Sequence, residues 1–208
     1  MFEELDGVKL IAEGDNVVSA DRRRSMGFEP VSRRLWKQLA GKGGTFVDAG
    51  AYTGFYSVLA VRNGAARVHA FEANPIVVPR LLANLELNDV GDVVVHPHAL
   101  ARRSGERIAI RGKTGLNSAA SVVGEGEAIA SASTLSLDDI GLAELAAIKI
   151  DVERSELHVL RGGERTIRRC RPHILIELLD DAGPVDGVLR EWGYVGERTD
   201  ADMWHYHV

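Results

Sequence analysis

Cysteine is almost absent from the sequence: among 208 residues there is one, Cys170. A lone thiol excludes an internal disulfide framework and offers no cysteine cluster to a metal, as in proteins of a reducing compartment. Long apolar runs are also missing, since no stretch approaches the roughly 18 residues of a membrane span. The chain starts Met1-Phe2-Glu3-Glu4, without a basic targeting segment. We therefore expect a cytoplasmic protein without a membrane partner.

The sequence also lacks an excess of positive charge. Its 30 acidic residues outnumber 25 basic ones, which gives a formal net charge of −5. The basic residues are scattered except for Arg22, Arg23 and Arg24, and such a run is more often a solvated loop than a binding site. A cationic face for phosphate backbones is not expected, so nucleic acid is not a predicted partner.

Composition and length indicate an ordinary globular chain. Apolar residues make up 45% and charged residues 26% of the sequence, and 208 residues suit one domain with a full core. We expect residues 1–44, an N-terminal hairpin and helix, to belong to the same domain as residues 45–208. The sequence does not specify an oligomeric state, and a homo-oligomer is left open.

Buried strands alternate with helices from Thr45 onward, which predicts an open α/β fold with a doubly wound, mostly parallel sheet. Helices are expected over Gly54 to Val61 and after Pro75. An antiparallel hairpin between Tyr194 and Val208 would close one edge of the sheet. The predicted strands, each apolar on both faces, are Phe46 to Ala49, Val68 to Phe71, Val93 to Val95, Ala146 to Ile150 and Ile174 to Leu178.

Two further segments flank this pattern. Residues 1–20 predict a hairpin in which Val8–Ile11 and Val17–Val18 flank a turn at Gly14 and Asp15, and Pro30 to Leu39 predicts a helix. The stretch from Gly112 to Ser133 is rich in Gly, Ser and Ala. It is either a mobile cover over the site or a pair of small edge strands.

The strongest chemical signal is the turn that follows the first predicted strand, Val47 to Gly54. Gly50 would allow a sharp turn and close approach to a ligand, while Gly54 would allow the helix start to approach the strand. The spacing is not the G-x-G-x-x-G of a dinucleotide site. Asp48 would repel a pyrophosphate but attract the amino group of a methionine moiety. With Ala51 and Tyr52, these residues predict an S-adenosylmethionine site.

The next predicted strand ends in Glu72-Ala73-Asn74-Pro75, on the rim where open α/β sheets bind ligands. The carboxylate of Glu72 can accept hydrogen bonds from both hydroxyls of a ribose, so we predict that it binds the adenosine ribose. The alternative is an exposed acid at a helix start, before Pro75.

The third strand leads into His96-Pro97-His98-Ala99, where the rim should face the adenine ring. We predict that His98 and Ala99 frame the adenine. Two histidines separated by one proline could suggest a metal pair, but no third ligand of suitable spacing follows, and no metal ligands are predicted here.

Two acids, Asp151 and Glu153, follow the fourth strand, where the methyl group and its acceptor should meet. If alternation continues, both lie on one side of the chain, and either could take a proton from an acceptor hydroxyl or orient it. Burial or a neighbouring acid would have to raise the pKa of such a base. The alternative to a catalytic role is that Asp151 caps the next helix and that Glu153 pairs with Arg154 or Arg161.

Six motifs occur in order along the chain: Gly27-Phe28-Glu29-Pro30, Val47-Asp48-Ala49-Gly50-Ala51, Phe71-Glu72-Ala73-Asn74-Pro75, Thr134-Leu135-Ser136-Leu137-Asp138-Asp139, Ile148-Lys149-Ile150-Asp151-Val152-Glu153 and Arg171-Pro172. Taken together, they resemble the FkbM family of methyltransferases over roughly Gly27 to Tyr194. The sequence departs from the family pattern at Arg154, where glycine is usual, and at Tyr52, where asparagine is common.

The resemblance implies a class I methyltransferase fold, which is Rossmann-like, with S-adenosylmethionine as donor and S-adenosylhomocysteine as product. It also implies O-methylation of a small hydroxylated acceptor, a sugar or secondary metabolite. One alternative is a metal-assisted O-methyltransferase in which Asp151, Asp180 and Asp181 hold magnesium. Others are a nucleotide-binding protein without catalysis and an NAD oxidoreductase of similar topology.

Overall fold

A seven-stranded sheet lies at the centre of the computed structural model, which describes residues 1–23, 27–112, 127–179 and 181–208. The strand order is β11-β12-β10-β9-β3-β4-β5. In chain order the elements are β1 (Phe2–Leu5), β2 (Val8–Ile11), α1 (Asn16–Arg23), α2 (Pro30–Ala40), β3 (Thr45–Ala49), α3 (Phe55–Arg62), β4 (Arg67–Phe71), α4 (Val78–Leu87), β5 (Val93–His96), β6 (His98–Leu100), β7 (Arg107–Arg111), β8 (Ala128–Leu135), α5 (Leu137–Ile140), β9 (Ala147–Ile150), α6 (Glu156–Gly162), α7 (Glu164–Cys170), β10 (His173–Glu177), α8 (Gly183–Glu191), β11 (Val195–Arg198) and β12 (Met203–His207).

The central strands β10, β9, β3, β4 and β5 run parallel, which confirms the predicted fold class. Alternate residues of one strand enter two different cores. Phe46 of β3 packs in a core with Trp36 and Leu59, whereas its neighbour Val47 packs in a second core with Leu160. Helices therefore cover both faces of the sheet, and this explains why the predicted strands are apolar on both faces.

The N-terminal hairpin is real, but its predicted turn and second strand are wrong. β1 and β2 pair around Asp6 and Gly7, both of which have positive φ angles (50° and 78°), as a tight hairpin turn requires. Val17 and Val18 instead lie in α1. The carboxylate of Asp15 accepts hydrogen bonds from their backbone N–H groups (2.8 and 3.2 Å) and so caps that helix. The predicted helix from Pro30 is confirmed as α2.

The C-terminal hairpin, β11 with β12, pairs antiparallel with β10 and forms one edge of the sheet, as predicted. A second sheet has the order β6-β8-β7. Of the segment 112–133, residues 128–133 belong to β8, which lies between β6 and β7, so the strand predicted there exists but is central in its sheet and not an edge strand. Residues 113–126, where a mobile cover is the other interpretation, lie outside the described residues.

The helices in the described part of the chain are short, and α2 is the longest of them at 11 residues. Within the described ranges, no helix combines the length and the apolar character needed to cross a membrane.

Two helical glycines differ in what surrounds them and give a stability test. A Cβ on Gly162, in α6, would lie 2.0 Å from the carbonyl oxygen of Ala101, whereas a Cβ on Gly187, in α8, would meet no atom within 4 Å. We expect Gly187→Ala to raise the free energy of unfolding by about 0.5–1 kcal/mol, because alanine loses less backbone entropy in a helix. Gly162→Ala should lower the free energy of unfolding by about 1–3 kcal/mol, because the added methyl group overpacks the contact with Ala101. Urea unfolding of both variants checks this, and equal shifts would contradict the packing of α6 against Ala101.

Candidate active site

A cavity of about 360 Å³ opens at the carboxyl ends of the parallel strands. It lies where β3 borders β9, the point at which the strand order reverses direction and where open α/β sheets bind ligands. The predicted site residues that line it are Asp48, Gly50, Ala51, Tyr52, Glu72, Ala73, Asn74, His98, Ala99, Asp151 and Glu153. Gly54 is absent from this lining.

The glycine turn after β3 is fixed by its neighbours in the sheet. Gly50 has a φ of 83°, and a Cβ there would lie 1.8 Å from the carbonyl oxygen of Asp151. The carbonyl of Phe71 accepts the N–H groups of Gly50 (3.0 Å) and Ala51 (2.9 Å). Gly50 is therefore required by the close approach of the chain that leaves β9. Gly54 precedes α3 with a φ of 89°, and a Cβ there would lie 3.3 Å from Leu81 of α4.

Glu72 joins the turns that follow β3 and β4. Its Oε2 accepts the N–H of Tyr52 (2.8 Å), and its Oε1 accepts the N–H of Asn74 (2.7 Å). The side chain is buried, and burial raises the pKa of Glu72 to about 7, although these two hydrogen bonds lower it. Helix α4 begins later, at Val78, so the alternative of an exposed helix-start acid is wrong. Each carboxylate oxygen keeps a lone pair for a further donor.

Three buried polar atoms on the cavity wall have no hydrogen-bond partner among the described residues. They are Asn74 Nδ2, His98 Nδ1 and Ser155 Oγ. Buried polar groups in proteins are almost always paired, so these atoms indicate a ligand with polar edges. Together with the carboxylate of Glu72, they fit a nucleoside, in which ring nitrogens and ribose hydroxyls offer such partners.

Lys149, which the sequence analysis did not select, places a buried cation at the centre of the site. Its Nζ lies 2.6 Å from Asp151 Oδ2 and 4.8 Å from the centroid of the Tyr56 ring. Burial lowers the pKa of Lys149, but the charges of Asp151, Glu29 and Asp48 outweigh it, so the pKa lies above its ordinary value. The signal in the sequence is a lysine inside the apolar strand Ala147-Ile148-Lys149-Ile150.

Asp48 and Glu29 extend this charge network. Asp48 is buried, and its Oδ2 accepts a hydrogen bond from Ser57 Oγ (2.6 Å). Burial raises the pKa of Asp48, while Lys149 and Ser57 lower it. Glu29 Oε2 accepts a hydrogen bond from the hydroxyl of Tyr56 (2.6 Å), and burial raises its pKa as well. Both carboxylates line the cavity beside Lys149.

Three carboxyl groups converge on the other side of Asp151. Oxygen atoms of Asp151, Glu153 and Glu177 lie within 4.8 Å of one another. Burial, followed by the charge of Asp151, raises the pKa of Glu153 to about 7, and the same two causes raise the pKa of Glu177. Glu177 was missed because the predicted strand Ile174 to Leu178 was treated as apolar throughout. An acid near a strand's carboxyl end was its signal.

Two of the alternative roles for the strand-four acids, the helix cap by Asp151 and the pair of Glu153 with Arg161, do not fit the contacts. Ser155 and not Asp151 precedes α6, and Arg161 pairs with Glu164 (3.7 Å). Asp181 accepts the N–H of Gly183 (2.9 Å) at the start of α8 and does not line the cavity. Asp180 lies outside the described residues. Among the described residues, the acids that meet Asp151 are therefore Glu153 and Glu177, and Asp181 is not one of them.

Both departures from the family pattern occupy left-handed backbone conformations. Tyr52 has a φ of 48° and Arg154 a φ of 75°, in the region that glycine and asparagine enter most readily. The hydroxyl of Tyr52 accepts the N–H of Asn16 (3.2 Å), which ties α1 to the glycine turn. Asn16, Val17, Ala20 and Arg23 of α1 also line the cavity, and the sequence analysis did not find them.

Comparisons with known proteins agree with this geometry. A curated relative, the ribosomal protein L11 methyltransferase of Anoxybacillus flavithermus, is 45% identical over 53 residues, which cover 26% of this chain and 17% of that protein. The crystal structure of Methyltransferase FkbM from Methylobacillus flagellatus superposes with a TM-score of 0.60 at 19% identity, covering 79% of this chain and 43% of that one. Ribosomal protein L11 methylase from Lactobacillus delbrueckii superposes with a TM-score of 0.52 at 12% identity, covering 84% and 76%.

At these identities, the likeness to solved structures establishes a shared class I methyltransferase fold and nothing about the acceptor. The chain also spans less than half the length of the FkbM structure and of the curated relative. The model of the methyltransferase FkbM domain matches residues 48–195, which is most of the chain. The protein therefore belongs to the FkbM methyltransferase family, with S-adenosylmethionine as its methyl donor.

Proposed function

We propose that the protein methylates a hydroxyl oxygen of a small, uncharged or cationic acceptor such as a sugar or a secondary metabolite. The observation that carries this proposal is the group of three carboxyls, Asp151, Glu153 and Glu177, on the cavity wall. A hydroxyl is a weak nucleophile whose proton must leave during transfer, and a carboxylate of raised pKa is suited to receive it.

The donor side of the site consists of the residues at the ends of β3, β4 and β6. Glu72 would accept the ribose hydroxyls, Asn74 and His98 would bond the adenine edge beside Ala99, and Asp48 would attract the methionine amino group. When bound, S-adenosylmethionine supplies a methyl group already activated by a positive sulfur. The protein's main contribution is then to hold donor and acceptor in line.

Glu153 is the best candidate for the base. The pKa of its carboxyl is about 7, which suits proton transfer near neutral pH. The proton passes from the acceptor hydroxyl to a carboxylate oxygen of Glu153, while the new oxygen–carbon bond forms and the carbon–sulfur bond breaks. Asp151 is held by the ammonium group of Lys149 at 2.6 Å and would orient the acceptor.

Charge on the cavity wall favours a small neutral acceptor over a nucleic acid. Among the residues that line the cavity in the described part of the chain, acids outnumber bases, and a phosphate would be repelled. The acids are Glu29, Asp48, Glu72, Asp151, Glu153 and Glu177, and the bases other than His98 are Arg23 and Lys149.

A metal-assisted transfer is the second candidate, because the same three carboxylates lie close enough to share a divalent cation. In that case, chelator would abolish turnover and magnesium would restore it. Full activity in chelator would leave the carboxylate base as the mechanism.

The acceptor class is tested by incubating the protein and S-adenosylmethionine with a panel of sugars and hydroxylated metabolites, with ribosomal RNA and ribosomal protein as comparison substrates. Mass spectrometry should find one added methyl on a small hydroxylated compound. Methylation confined to the RNA or the protein would contradict the proposal.

The base is tested by the pH dependence of turnover. Because Glu153 acts when ionised, kcat of the wild type should rise with pH through about 7 and then level off. Glu153→Gln should lower kcat by about 10² to 10⁴-fold and remove this dependence, with little change in the affinity for S-adenosylhomocysteine. The exposed Glu191→Gln is the matched control, and an unchanged pH profile in Glu153→Gln would refute the role.

The ribose contact is tested by Glu72→Gln, with exposed Glu86→Gln as control. Loss of a charged acceptor for ribose hydroxyls should weaken the binding of S-adenosylhomocysteine by about 10 to 100-fold in calorimetric titration. Wild-type affinity should also fall as pH falls through about 7, because Glu72 then becomes protonated. Equal affinity of wild type and Glu72→Gln would show that this carboxylate does not hold the donor.

A further inference from the structure

Three histidines and a glutamate lie together on one face of the sheet edge formed by β10, β12 and β11. His205 of β12 pairs with Leu175 of β10 and with Glu197 of β11. Since alternate residues of a strand share a face, His173 and His207 lie on the same side as His205 and Glu197. His173 is at the amino end of β10, whereas Glu177, which lines the active-site cavity, is at its carboxyl end. The cluster is therefore separate from the donor site.

The side chains of this histidine cluster (His173, Glu197, His205 and His207) are in mutual contact. His205 Nδ1 lies 3.2 Å from Glu197 Oε1, and His205 Nε2 lies 3.0 Å from His173 Nδ1. The ring centroids of His205 and His207 are 5.0 Å apart. One ligand atom from each of Glu197, His205 and His207 can be chosen so that all lie within 4.8 Å of one another.

An ion pair between Glu197 and His205 does not explain the whole cluster. That contact joins Nδ1 of His205 to Glu197, whereas Nε2 of His205 meets His173 on the opposite side of the ring. The ring of His207 stacks on that of His205, with centroids 5.0 Å apart, and it is not needed for the contact with Glu197. Neutral imidazoles beside a carboxylate are, however, the ligand set that divalent transition metals prefer.

We propose that Glu197, His205 and His207 bind a divalent transition-metal ion of the zinc class, with His173 as a positioning residue. The ion would sit between the carboxylate of Glu197 and Nδ1 of His205. The N–H at Nε2 of His205 then donates to Nδ1 of His173, which fixes the tautomer of the ligand. A fourth position would be open to solvent.

The three ligands come from the two strands of the C-terminal hairpin, and His173 comes from the central sheet. A bound ion would therefore hold β11 to β12 and orient both against β10. An ion that binds the folded protein alone stabilises it by mass action, so the site predicts a metal-dependent melting temperature.

The test uses the full chain after treatment with chelator. Calorimetric titration with Zn²⁺ should show one equivalent bound at this cluster, while Mg²⁺ should not compete for it, because imidazole ligands favour zinc. His207→Gln and Glu197→Gln should each weaken Zn²⁺ binding at least about 10-fold, and His173→Gln should weaken it about 10-fold through the lost orientation of His205. His158→Gln, an exposed histidine of α6, is the matched control and should bind Zn²⁺ as the wild type does.

His207 and Glu197 are partly or largely exposed, so both variants should fold, and circular dichroism of the metal-free proteins checks this. Zn²⁺ should raise the melting temperature of the wild type and of His158→Gln but not of the two ligand variants. Absence of Zn²⁺ binding to the wild type, or binding that folded His207→Gln and Glu197→Gln retain, would overturn the proposal. Retained binding would place the ion elsewhere, for example on the carboxyls of the active-site cavity.

Discussion

The active site depends on the charge of one buried ammonium group, that of Lys149 in strand β9. Asp48, Glu29 and Asp151 are close enough to raise its pKa, and Asp151 is in direct contact with it. A buried carboxylate without a partner is costly, and leaving one member of a buried pair alone typically costs about 3–5 kcal/mol. Lys149 thus allows several acids to remain side by side in a cavity whose walls contain few other cations.

The backbone of the site is fixed by equally local constraints. The carbonyl of Phe71 accepts two N–H groups from the turn after β3, and Glu72 accepts a third from Tyr52. On the other side, Gly50 approaches Asp151 so closely that a side chain would not fit. The turns after β3, β4 and β9 consequently form one unit, in which the donor-side and acceptor-side residues hold each other in place.

The features that could be predicted from the sequence are those that depend on local sequence pattern. The five parallel strands, the C-terminal hairpin and the position of Glu72 at a strand end, on the cavity wall, all followed from apolar runs, turn residues and their order. Lys149 and Glu177 were missed because their surroundings are set by strands distant in the chain, and a charged residue inside an apolar strand has no local explanation. The position of α1 was missed because the hydrogen bonds that the carboxylate of Asp15 accepts from Val17 and Val18 outweighed the strand preference of these two valines.

The left-handed residues around the cavity have a consequence for engineering. Tyr52, Glu153 and Arg154 each hold a backbone conformation that costs an ordinary side chain about 1 kcal/mol or more, and all three flank the site. Replacing one of these residues by glycine would relieve the strain and raise the free energy of unfolding, because glycine adopts this conformation without strain. The same change would make the loops that orient the reacting groups more flexible. Folding stability and the alignment of the catalytic residues therefore depend on the same few backbone angles.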